Sequence, residues 1–114
     1  MGERGNIRTV EDEHAEIWFY THWRGYETHT IVQKALKNGE DRWDDAPYLR
    51  RIIFQELIGN DCGNTGFGIS DSKGDDNYPD VEVNISKQTI TIKEKSWTFK
   101  DYIKEDLPKD IGEM

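Results

Sequence analysis

The sequence predicts an α+β domain, a mostly antiparallel sheet of about five strands with two to three helices on one face. Three observations carry that reading. Val81, Val83, Ile85, Ile90 and Ile92 occupy alternate places within two short runs, the period of half-buried strands. Two other stretches, about 28–38 and 45–58, repeat their apolar residues at steps of three and four, the period of helices covered along one stripe. The run Glu16 to Trp23 is strand-like but aromatic on both sides: Ile17, Phe19, Thr21 and Trp23 form one set, and Trp18, Tyr20 and His22 the other. A strand covered on one side only would alternate apolar with polar, so this one needs something over its second face.

In chain order, Asn6 to Val10 and Glu16 to Trp23 read as two strands joined by the charged turn Glu11 to Ala15. A helix follows from about Thr28 to Asn38, with Ile31, Val32, Ala35 and Leu36 as its stripe and Gly39 as its stop. A second helix opens at Asp45 as N-cap with Pro47 in the first turn, where a missing N–H costs nothing, and closes at Gly59. Its stripe is Leu49, Ile52, Ile53 and Leu57. Gly66 to Ser70 reads as a short strand, Asp71 to Asp80 as a surface loop, and the runs at 81–85 and 90–92 as a hairpin turning at Ser86 and Lys87. Thr98 and Asp101 resemble a capping box ahead of a short helix bearing Phe99, Tyr102 and Ile103. Order is expected from about residue 4 to 107 within one domain, 1–114, with a frayed C-terminal tail.

If Ile17, Phe19, Val81, Val83, Ile85, Ile90 and Ile92 face the helices, then Asn6, Arg8, Trp18, Tyr20, His22, Glu82, Asn84, Thr89, Thr91 and Lys93 share the other face. Arg8, Trp18 and Tyr20 make that face a candidate interface, to a partner or to a second copy in a homodimer. The ordinary explanation is a cover supplied by the chain's own C-terminal helix or a loop.

The formal charge of −8, from 23 acidic and 15 basic side chains, disfavours phosphate-driven binding of nucleic acid. No apolar run approaches the ~20 residues of a membrane span, no stretch at the start has signal-peptide character, and the single Cys62 suits a reducing compartment. A cytoplasmic protein is expected. The histidines at 14, 22 and 29 lack zinc spacing, the loop 71–77 lacks the spaced acids of a calcium loop, and no cofactor is expected.

The segments YTHWRG at 20–25, RWDDAPYLRRIIFQELI at 42–58, TGFGIS at 65–70 and WTF at 97–99 resemble a family of small uncharacterised proteins of phages, prophages and bacterial genomes. The resemblance brings no activity with it. It implies a protein that acts on a host process by binding more than by turnover.

Two corners within these segments carry the candidate ligand residues: His22, Trp23 and Arg24 after the second strand, and Arg42, Trp43, Tyr48 and Arg51 around the second helix start. Were the corners to adjoin, their cations and rings would suit an anionic, nucleotide-like ligand, captured without chemistry, as in countering a host signal. The ordinary alternative is a solvated turn in which Arg42 pairs with Asp44 or Asp45. A second reading is a protein-interaction module or inhibitor using an acidic surface or the aromatic face. A third is a small hydrolase with His22 as base beside Glu27 or Asp44, for which spacing selects no nucleophile, Ser70 included.

Overall fold

The computed structural model describes residues 2–12 and 15–114. Its elements are β1 (Gly5–Val10), β2 (Glu16–Thr21), α1 (Thr28–Asn38), α2 (Ala46–Ile58), β3 (Phe67–Ser70), β4 (Val81–Asn84), β5 (Thr89–Ile92), β6 (Lys95–Thr98) and the single turn α3 (Phe99–Tyr102). The strands form one sheet in the order β3-β2-β1-β4-β5-β6. β1 runs parallel to β4, and every other neighbouring pair is antiparallel. The class is α+β as expected, with six strands in a mixed sheet.

Local chemistry explains both helices. Asp45 caps α2 by accepting a hydrogen bond from the Tyr48 N–H, Pro47 lies in the first turn, and Gly59 takes φ 59° at the end, a conformation that glycine tolerates best. The cores of α1 (Ile31, Val32, Ala35, Leu36) and α2 (Leu49, Ile53, Leu57) are buried against Ile7, Phe19, Val81, Val83, Ile90 and Ile92 of the sheet. Pairings of Ile7 with Phe19 and Val81, and of Val83 with Ile90, put these side chains on one face. The additional strand β6 follows β5 through Lys93 and Glu94, with Lys93 at φ 55°.

The chain end is packed where fraying was expected. Ile111 is wholly buried in a last 3-10 turn, Ile111–Glu113, and Lys93 donates to the carbonyls of Gly112 and Met114. Upstream, Tyr102 donates its hydroxyl to the His29 carbonyl at 2.8 Å, and Gln33 donates to the carbonyls of Tyr102 and Glu105. The tail thus closes over the N-terminal half of α1.

His29 sits within that closure, fully buried, with Nε2 2.5 Å from the Pro108 carbonyl and, among the described residues, no partner for Nδ1. The short contact to a carbonyl assigns the proton to Nε2 in the neutral ring. Burial lowers its pKa, against smaller opposing effects of the Pro108 carbonyl, Asp110 and Glu27. An unfolded histidine takes up a proton as the pH falls through about 6.5, while the folded one resists until lower pH, so stability is full above that value and declines below it. Urea unfolding between pH 7 and 5.5 should show this loss, at up to about 1.4 kcal/mol per pH unit. His29→Gln, which can still donate to Pro108, should remove that increment.

Candidate functional site

The path from β3 to β4 decides which surfaces are available. β3 is the outer neighbour of β2, whereas β4 lies beyond β1, so the connection 71–80 must cross two strands. It crosses on the face away from the helices. The Asn6 side chain, wholly buried, accepts from the Gly74 N–H and donates to the carbonyls of Gly74 and Asp75. Gly74 lies so close on Tyr20 that a Cβ there would come within 2.9 Å of its ring. Lys73 ties the loop together through Asp76 at 2.9 Å and Asp80 at 3.1 Å. Those two carboxylates are therefore engaged by a lysine.

Over the rest of this face charge pairing covers Trp18, while Arg8, Glu82 and Asn84 line an open depression of about 450 Å³ toward Ser86 and Lys87. Arg8 bonds both Glu16 and Glu82 and lies 6.0 Å from the Trp18 ring centroid, leaving Trp18 only 8% exposed. Thr89 and Thr91 flank the central strands from β5. Of the expected interface residues, Trp18 is buried within the chain, whereas Arg8 and Tyr20 remain partly exposed. The chain's own loop lies on Tyr20 and Arg8 lies over Trp18, so the second aromatic side of β2 has its cover within the chain.

The Thr21-to-Gly25 corner is built from close contacts. Buried Thr21 accepts through its hydroxyl from the N–H groups of Trp23 and Arg24, turning the chain, and Gly25 donates to the Glu3 carbonyl at 2.7 Å. Tyr20 and His22 share a hydrogen bond of 3.2 Å between the phenol oxygen and Nδ1. Arg24 reaches the carbonyls of Glu56 and Leu57 at 3.2 and 2.9 Å and pairs with Glu27 at 2.8 Å. It caps the C-terminus of α2, where a cation and orphan carbonyls suit each other.

The second corner lies at the opposite end of that helix. Arg42 stacks over Tyr48 at 4.6 Å and approaches Asp45 at 3.7 Å. Trp43 donates its indole N–H to the Leu36 carbonyl at 3.0 Å and packs edge-on against Phe99. Arg51, midway along the helix, donates to Gln55. With a rise of about 1.5 Å per residue, positions 48 and 57 are about 14 Å apart. The two corners therefore do not adjoin, and His22, Trp23, Arg24, Arg42, Trp43, Tyr48 and Arg51 do not enclose one pocket.

Nor does the fold assemble the named hydrolytic groups. Ser70 bonds Ser72, Asp44 accepts from Gln88 at 2.7 Å, and Glu27 pairs with Arg24. Ser70 and His22 mark opposite ends of the β2–β3 ladder, about 13 Å of strand. Among the described residues no group of three or more His, Cys, Asp or Glu is placed to hold a metal ion, and no helix is long and apolar enough to cross a membrane.

The margin of the sheet at β3 is different. His22 donates to the Gly66 carbonyl, and alternation along an antiparallel ladder then makes Tyr20 with Gly68 and Trp18 with Ser70 the bonded pairs. The N–H and C=O groups of Phe67 and Ile69 consequently point away from β2. Ile69 is 60% exposed and Trp23 45%, the latter standing on Gly66 and edge-on to Phe67 at 5.7 Å. Ile69, Ile17, Phe19 and Phe54 line an almost wholly apolar depression of about 270 Å³, with Arg50 and Arg51 on its helix side. Arg50 is anchored by Thr9, Glu11 and the Ala15 carbonyl. Sequence reasoning missed Phe54, Phe67 and Ile69 as surface residues. Their signal was the lack of any charge in TGFGIS, an edge strand without the lysine or proline that usually protects one.

Family models, curated proteins and solved structures were compared with the chain, and none matches.

Proposed function

We propose that this protein acts by binding a polypeptide strand, without turnover, and that the surface it presents is the β3 margin with Trp23, Phe54 and Ile69 beside it. The carrying observation is that Phe67 and Ile69 combine outward backbone groups with uncharged, partly exposed side chains. An extended segment laid along β3 gains main-chain hydrogen bonds, and its alternate side chains fall over Ile69 and Phe54. Exposed apolar surface of this kind, bordering a free strand edge, is what interaction sites share. The resemblance to small phage-type proteins suits the same mode of action. Nucleotide capture at the arginine corners is less well supported, because Arg24 is engaged by the α2 carbonyls and Glu27 while Arg42 stands at the other end of the helix.

Ile69→Lys tests the proposal, since the position is exposed and a lysine there leaves the core intact. A partner retained from bacterial lysate by the native chain should be lost with Ile69→Lys and retained with Arg24→Ala and Arg42→Ala, each variant first shown to be folded. Equal retention by Ile69→Lys would overturn the assignment of the surface, as would a thermal shift with nucleotides that Arg42→Ala abolishes.

A further inference from the structure

Resting on the reading of β3 as a binding edge, we infer that the segment it pairs with is β3 of a second copy of this chain. The two strands run antiparallel with Gly68 on the two-fold axis. In that register Phe67 of each copy lies opposite Ile69 of the other, and both carry outward N–H and C=O groups, so the bonding pattern is satisfied reciprocally. The Phe67 and Ile69 side chains then form two cross-strand apolar pairs, covering an isoleucine that is 60% exposed in the single chain.

The lack of charge along β3 permits the same arrangement. No charged residue occurs from Cys62 to Ser70, and Asp71 falls opposite Thr65, so no like charges face each other along the paired strands. The other margin, β6, carries Lys95, which guards an edge against pairing. At Gly68 a Cβ would meet nothing within 4 Å. A chain of formal charge −8 repels its copy at long range, so association should strengthen as salt is added.

Sedimentation of the full chain over a wide concentration range, at low and moderate salt, tests the pairing. A monomer–dimer equilibrium that tightens with salt is expected, and Ile69→Lys should weaken it at least about ten-fold. Register is read by Gly68→Cys in a Cys62→Ser background. Two such cysteines, in a non-bonded pair with Cα atoms about 4.5 Å apart, lie within disulfide range and should form a covalent dimer when oxidised glutathione is added as the two-electron oxidant, whereas Ser72→Cys should not. A monomer at every concentration, or cross-linking as ready from Ser72→Cys, overturns the inference. Should that monomer still lose another protein through Ile69→Lys, the edge reading stands without self-pairing; should it retain none, both fall.

Discussion

Gly25→Ala is expected to destabilise the fold by about 3 kcal/mol or more, lowering the melting temperature by roughly 10 to 20 °C. A Cβ at Gly25 would lie 2.5 Å from the carbonyl carbon and oxygen of Arg4 and 2.7 Å from the Glu3 oxygen. All three obstacles are backbone, so no side chain can swing aside. Gly25 also donates to the Glu3 carbonyl and faces Gly5, where a Cβ would come within 2.6 Å of the Gly25 Cα. This is where the chain leaving β2 crosses the start of β1, and opening it separates the N-terminal segment from the corner that leads into α1. Gly68→Ala is the internal control, since it meets open space and should shift the melt by little. Thermal melts by circular dichroism would compare the two. Similar losses from both would mean that the close crossing contributes nothing special.

The second large effect belongs to Tyr102→Ala, expected to cost about 3 to 5 kcal/mol. Tyr102 is fully buried, its ring lies 5.3 Å from that of Trp97, and its hydroxyl satisfies the His29 carbonyl. Truncation leaves a cavity under the tail and removes the bond that ties it to the His29 carbonyl of α1. Tyr102→Phe keeps the ring and should cost only about 1 to 2 kcal/mol, the share of one buried hydrogen bond. Denaturant titration should therefore separate the two variants widely. If Tyr102→Ala matched Tyr102→Phe, the C-terminal segment would not be packed in solution as described.

The outcome shows which parts of the fold were legible in the residues. Helix α1 runs from Thr28 to Asn38 as its stripe predicted, and α2 begins after Asp45 and ends before Gly59 because cap, proline and glycine act locally. Face assignment in the sheet was also readable, since Ile7, Phe19, Val81 and Ile92 obey the two-residue period. Strand β6 was not: Lys95, Ser96, Trp97 and Thr98 show no alternation strong enough to mark a strand, and pairing with β5 supplies what propensity lacks. The parallel contact of β1 with β4 was equally hidden, being a matter of connection order.

That hidden order also redirected the functional reading. Trp18 and Tyr20 looked like a surface in need of a partner, yet the loop required to carry the chain from β3 to β4 covers Tyr20 and is held by Asn6. Arg24 looked like a ligand cation and is a helix cap. Each misplacement has one cause: a residue's chemistry is visible in the sequence, but its neighbour from a distant segment is not.

Amide exchange at individual β3 residues tests the central claim most directly, namely that this margin is open in the single chain and closes on binding. In dilute solution the amides of Phe67 and Ile69 should exchange fast, while those of Gly68 and Ser70, bonded to β2, stay protected, and binding should slow the first pair selectively. Strong protection of Phe67 and Ile69 in the dilute, unbound chain, or no change in them on binding, would contradict it.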